Sequence, residues 1–163
     1  MNKINTLDLK SLVSNTINEV FDTMLSMEIE LFDADSEVAG DGSRIVGSVS
    51  FAGEVMGSIS IYVSGEFGRV MTAAMLGMEP EEIESDEEVY DVIGELSNMV
   101  GGSLKSRFCD YGLPCELSIP SITTGSDFKI KSKNWSRYEG FAFRAFRHQQ
   151  YVGFVEVYIK AGS

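Results

Sequence analysis

The chain is poor in the residues that build the commonest catalytic and metal centres. Its 163 residues include one histidine, one tryptophan, two cysteines and three prolines. Cys109 and Cys115 stand six apart, outside any CxxC pattern and without clustered histidines, and that spacing argues against a zinc site. In a reducing compartment both serve as small apolar residues. The single histidine, His148, lies in Arg147-His148-Gln149-Gln150 between two strand-like runs. A histidine in a hairpin turn supplies neither the base of a Ser-His-Asp arrangement nor the helix-borne histidine of a phosphotransfer protein. No GxxxxGK[ST] occurs. Gly101-Gly102-Ser103-Leu104-Lys105-Ser106 has a faint likeness to one, but it lies inside a helical pattern and follows no strand, so it is not a phosphate loop.

Long apolar runs are lacking too. No stretch approaches the ~18 apolar residues that span a bilayer. The start, Met1-Asn2-Lys3-Ile4-Asn5, has no apolar leader core or cleavage site, so a cytoplasmic protein without membrane insertion is expected. Positive charge is scarce as well: 13 Lys+Arg stand against 25 Asp+Glu, a net −12 at pH 7. Nucleic acid and anionic membranes need clustered cations to displace counterions, and neither suits this chain as a main partner. The imbalance is uneven. Residues 1–103 hold 4 basic and 20 acidic side chains, whereas residues 104–163 hold 9 and 5. Glu79–Asp91 alone carries eight carboxylates and no cation, which reads first as a solvated, acid-rich helix start.

What is present is an ordinary globular composition, 44% hydrophobic and 23% charged, at a length suited to one domain over residues 1–163. Apolar spacing predicts a helix over residues 5–28, and polar Asp33–Ser43 a loop. Arg44–Phe51 and Val55–Val63 read as a hairpin around Ala52-Gly53-Glu54. In its second strand Ile59, Ile61 and Val63 alternate with Ser58, Ser60 and Tyr62, one face buried and one wetter. Gly65–Met78 reads as a helix stopped by Gly77 and Pro80. A long helix follows from Ser85 to Tyr111, with Ser85 and Glu88 at capping-box spacing. Glu116–Ile122 reads as a strand, Gly125-Ser126-Asp127 as a turn and Phe128–Ile130 as a short strand. Glu139–Arg147 and Tyr151–Lys160 form a closing hairpin. Hairpins rather than strand-helix-strand crossovers predict an α+β fold, a largely antiparallel sheet packed against long helices.

The 85–111 helix carries the signal. Val89, Val92, Ile93, Leu96, Val100 and Leu104 fall on its core side, and Asp91, Glu95 and Asn98 form a narrow stripe opposite. Gly94, Gly101 and Gly102 lie on or beside that stripe. Each costs ~1 kcal/mol against alanine within a helix. Two reasons would justify them: another element packs closely there, or a second macromolecule brings its backbone near Glu95 and Asn98.

Gly94-Glu95-Leu96-Ser97-Asn98-Met99, preceded by Asp91 and followed by Pro120, resembles the Asp/Ser-x3-Glu-x2-Asn…Pro signature of the CheC/CheX/FliY chemotaxis phosphatase family. Similar parts extend to the Ser58–Gly77 strand-helix unit, Gly112-Leu113-Pro114 and the run from Gly125 to Lys131, covering roughly residues 5–160. Pro120 follows Asn98 by 22 positions, close to the family spacing. The first helix offers Glu19-Val20-Phe21-Asp22, an ExxD, so a single ExxN is present, as in CheX-type members.

The resemblance implies a phosphatase that hydrolyses the aspartyl-phosphate of a CheY-like response regulator. It makes Glu95 and Asn98 the catalytic pair, Asn98 orienting the attacking water and Glu95 anchoring a lysine of the regulator. Asp91, Gly94 and Gly102 become partner-docking positions, Asp91 orienting Glu95 or the helix start. No cofactor of the chain's own is implied, since Mg²⁺ would belong to the phosphorylated partner, and a homodimer is expected. The acidic run would then surround the docking face with negative potential. Two other readings stand beside this one. The chain could be a non-catalytic docking or dimerisation module, or an acid/base enzyme using the Glu81–Asp91 carboxylates.

Overall fold

Buried backbone groups must find partners, and this chain meets that demand with helices laid on one antiparallel sheet. The computed structural model describes residues 3–39, 42–126, 128 and 133–162. Its elements run α1 (Leu9–Leu25), β1 (Ile29–Phe32), β2 (Ser43–Gly53), β3 (Val55–Ser64), α2 (Gly65–Leu76), α3 (Asp86–Asp110), β4 (Cys115–Leu117), β5 (Ser121–Ser126), β6 (Arg137–Ala145) and β7 (His148–Ala161), with short 3₁₀ turns between. The sheet order is β1-β6-β7-β3-β2-β4, and β5 pairs β2 beside β4. Every pairing is antiparallel. The fold is α+β, as the hairpin connectivity requires.

Local chemistry sets the ends of the helices. Asp8 caps α1, its carboxylate accepting the Ser11 N–H at 3.2 Å, and this bond holds its pKa below the usual carboxylate value. Gly77 ends α2 in the left-handed region at φ +69°, a conformation a β-carbon disfavours. At the head of α3 the Ser85 hydroxyl accepts the Glu88 N–H, and the Glu88 carboxylate accepts the N–H groups of Ser85 and Glu84. The capping box is therefore closed.

All three α-helices lie against one face of the sheet. Ile45, Val49, Ile59, Ile61, Val155, Val157 and Phe143 meet Leu12, Ile17, Phe21, Phe67, Ile93, Leu96 and Val100 in one continuous core. The approach of α3 to β2 is very close. A β-carbon on Gly47 would stand 2.1 Å from Ser97 Oγ, and one on Gly101 2.4 Å from Val49 Cγ2. Gly57 makes the same allowance within the sheet, since a β-carbon there would stand 1.8 Å from the Tyr158 carbonyl oxygen.

Several elements differ from the sequence expectation. The first helix begins at Leu9, and residues 3–6 form a separate 3₁₀ turn. Ile29–Phe32 is an edge strand on β6, too short at four residues to show an alternation. The expected strand Glu116–Ile122 is two strands, because Pro120 has no N–H to continue the ladder. Gly125 and Ser126 belong to β5, paired with Arg44 and Ser43, rather than to a turn. Phe128 is outside any strand. The rest of that expected strand, together with Asp127, lies outside the described residues. His148, Gln149 and Gln150 open β7, so the closing turn is Phe146-Arg147.

The far face of the sheet is drier than the serine alternation implies. Ser60 and Tyr62 are buried, and Val38 and Phe128 cover a small cluster of Val46, Tyr62 and Phe154. Beneath it lies Glu156, fully buried, whose carboxylate accepts hydrogen bonds from Tyr62 (2.7 Å), Tyr138 (3.2 Å) and Tyr158 (3.2 Å). Burial first, and the Glu156 carboxylate second, push the Tyr158 hydroxyl from 10.0 up to about 12 and raise Tyr138 as well. Both hydroxyls stay protonated in the folded chain at a pH where unfolded tyrosine ionises. Their stabilisation is therefore complete below pH 10 and is lost as pH rises toward 12. Denaturant midpoints should fall through that window, and less steeply in Tyr158→Phe; a Tyr158→Phe profile parallel to that of the parent would contradict the assignment.

Candidate functional site

Packing of α3 onto β2 decides which of its residues can reach solvent. Ile93, Ser97 and Gly101 turn to the sheet, and Ser97 donates its hydroxyl back to the Ile93 carbonyl at 2.8 Å. One turn of helix advances 3.6 residues, so Glu87, Asp91, Glu95 and Asn98 emerge on the opposite side, all exposed. Among the described residues the side chains of Asp91, Glu95 and Asn98 make no hydrogen bond or ion pair, and nothing joins Asp91 to Glu95. The helix start is held by Ser85 and Glu88 instead.

The acidic run divides in two. Glu82 accepts the Glu79 N–H at 3.1 Å, and Glu88 is committed to the α3 cap. Glu84, Asp86, Glu87 and Asp91 remain exposed, a carboxylate row that leads along the helix to Glu95. None of these acids is enclosed in an apolar pocket of the kind that prepares a carboxylate for proton transfer.

The three glycines have three different surroundings. Gly101 is required by the contact with Val49. Gly94 is buried, and a β-carbon there would touch Ile122 at an ordinary 3.8 Å. Gly102 is half-buried, and a β-carbon on it would have nothing within 4 Å. Its bare backbone forms the saddle of a groove of about 490 Å³ that Asn98 also lines, between α1 and α3. Val20, Met24, Met99 and Leu117 give the groove an apolar floor, and Glu19 stands at its side. Glu19 is an ion-pair partner of Arg107 at 2.6 Å, bridging the two helices. The helical spacing of residues 5–28 places Met24 in the core; the structure leaves it half-buried in this groove. Only the juxtaposition of α1 and α3, to which local spacing is blind, could have shown that.

A second wall comes from the β4–β5 connection. Leu117 Cδ1 lies 3.3 Å from where a Gly101 β-carbon would be, and Ile122 packs beside Gly94, so residues 118–120, which join them, bend past α3 level with Ser97 and Asn98. Ser118 pins the bend to β2: its N–H donates to the Ser50 carbonyl, its hydroxyl accepts the Ser50 N–H, and the same hydroxyl donates to the Ile119 carbonyl, each at 2.9 Å. Pro120, singled out in the sequence, completes the bend. Among the described residues no group of three His, Cys, Asp or Glu side chains is placed to hold a metal ion. No helix of the described residues is long and apolar enough to cross a membrane.

These surroundings give adjacent glycines opposite behaviour. Gly102→Ala should raise stability by about 1 kcal/mol through helix propensity alone, whereas Gly101→Ala should lower it by ~1–3 kcal/mol through overpacking against Val49. Urea unfolding of the two variants measures both; equal shifts would contradict the packing described.

Comparison with known proteins places this arrangement. The family model described as "Chemotaxis phosphatase CheX" matches residues 45–144, a span that runs from β2 into β6 and contains the whole of α3. The CheY-P phosphatase CheX of Thermotoga maritima is 34% identical over 89 residues, which cover 54% of this chain. The match spans 56% of that relative's length. Among solved structures, chemotaxis protein CheX from Vibrio vulnificus superposes with a TM-score of 0.77 at 22% identity, covering 94% of this chain and 97% of that one. A chain of the CheX–CheY–BeF3–Mg complex from Borrelia burgdorferi superposes with a TM-score of 0.71 at 19% identity, covering 94% and 98%. With a family match over residues 45–144 and the same fold throughout, the chain belongs to the CheX chemotaxis phosphatase family.

Proposed function

We propose that this protein hydrolyses the aspartyl-phosphate of a CheY-like receiver domain. The observation that carries the reading is the exposure of Glu95 and Asn98, one turn apart on the open face of α3 beside the Gly102 saddle. The relative in Thermotoga is named a CheY-P phosphatase, and a structural neighbour was crystallised with CheY, which supports the same partner class.

An acyl phosphate is already reactive, so its hydrolysis asks for positioning and charge complementarity more than for a strong base. A carboxamide both accepts from and donates to one water. Asn98 holds that water in line with the phosphorus, and Glu95, reaching from the preceding turn, pairs with a lysine of the receiver's phosphoryl pocket. Asp91, Gly94 and Gly102 shape the docking face around them. The Mg²⁺ beside the phosphoryl group belongs to the receiver, and this chain brings no cofactor. A homodimer through the sheet layer and a cytoplasmic location complete the proposal; elution at monomer size at micromolar concentration would remove the dimer.

Asn98→Ala should abolish accelerated phosphate loss from the receiver while leaving binding and folding intact. Glu95→Lys should chiefly abolish complex formation. Both are read from receiver dephosphorylation and from binding to the phosphorylated receiver. Full turnover in Asn98→Ala would sink the catalytic assignment, and binding without turnover in the parent protein would make the chain a docking module.

A further inference from the structure

Ile119 is 88% exposed, the most exposed large apolar side chain among the described residues. Isolated surface isoleucines need no explanation, but this one does not sit on a loose loop. It occupies the bend that Ser118 fastens to β2 by two hydrogen bonds with Ser50, that a third, from the Ser118 hydroxyl to the Ile119 carbonyl, closes internally, and that Pro120 stiffens. Its backbone is therefore held in place before any partner arrives, and little ordering is left to do on binding. The bend stands level with Asn98, since Leu117 and Ile122 at its two ends pack at Gly101 and Gly94 of α3.

We infer that Ile119 is a docking residue, an apolar anchor that selects the phosphorylated receiver by covering an uncharged apolar patch beside its phosphoryl pocket. The inference rests on the function proposed above and extends it from chemistry to selectivity. A macromolecule that seats a phosphoryl group over Asn98 lies across the neighbouring bend, so the same partner covers Ile119. The two ends of its footprint differ in character. Along α3 it meets Glu87, Asp91 and Glu95, which call for cations. At the bend it meets Ile119, and the adjoining groove adds Met99 and Leu117, which call for apolar surface. A receiver that is basic on one flank of its pocket and apolar on the other fits both; one that is charged on both does not.

Ile119 touches no reacting atom, so its role belongs in KM rather than kcat. The experiment follows phosphate loss from a CheY-like receiver phosphorylated with acetyl phosphate, over a range of receiver concentrations. It compares the parent protein with Ile119→Ala, Ile119→Asp and Ile119→Leu, with Leu76→Ala as an exposed apolar control far from the site in sequence. Ile119→Ala should raise KM by about tenfold and Ile119→Asp by more, the loss expected for one well-buried aliphatic side chain. Ile119→Leu should recover most of the affinity, and kcat should stay within about twofold throughout. The inference is overturned by Ile119 variants that keep the parent KM, by a fall in kcat at constant KM, or by an equal effect of Leu76→Ala. If the parent protein itself does not accelerate phosphate loss, the proposed function falls and this inference with it. If the parent is active and the Ile119 variants match it, the inference alone falls.

Discussion

The rest of the structure depends on how near α3 lies to β2. Two positions without side chains, Gly47 in the strand and Gly101 in the helix, allow the approach, with Ser97 packed onto the first and Val49 onto the second. Interiors pack at the density of organic crystals, so a contact this tight has one rotational setting of the helix that fits. That setting turns Ile93 and Val100 inward and leaves Glu95 and Asn98 outward. Nothing in the exposed stripe itself holds its direction. The orientation of Glu95 and Asn98 is fixed from beneath, by groups buried between α3 and the sheet.

Much of this was legible in the residues, and the reasons differ from element to element. The α3 boundaries follow from Ser85, Glu88 and a long apolar repeat, which are local signals, and the helix runs from Asp86 to Asp110 within a residue of the expectation. The β2–β3 hairpin follows from alternation. β1 has four residues and no pattern, and exists because β6 offers it a partner. Glu116–Ile122 reads as continuous until Pro120 is allowed to break the ladder. The stripe of Asp91, Glu95 and Asn98 needed only helical geometry. The roles of the three glycines needed tertiary contacts. Spacing treats Gly101 and Gly102 alike, yet one faces Val49 and the other faces open space. Neither the place of Met24 in the groove nor that of Ile119 on the bend can be read from spacing, for the same reason: the groove and the bend are made by elements distant in sequence.

The acidic run also takes on two meanings once the fold is known. Some of its carboxylates satisfy backbone donors at the ends of a 3₁₀ turn and of α3, where negative charge also complements the helix dipole. The others project outward. The first group keeps its charge but has oxygens already engaged by backbone N–H groups, so the carboxylates of Glu79–Asp91 are not equally available to a new donor.

The interruption at Pro120 bears on more than strand assignment. An uninterrupted edge strand invites foreign strands to pair with it, and chains with long free edges are prone to run-on assembly. Here one margin of the sheet is β1, four residues long, and the other is shared between β4 and β5, parted by a bend whose proline has no N–H to give. Among the described residues the longest unbroken stretch at either margin is β5, six residues, and the bend parts it from β4. The same kink that carries Ile119 outward thus also interrupts this margin as a template for strand addition.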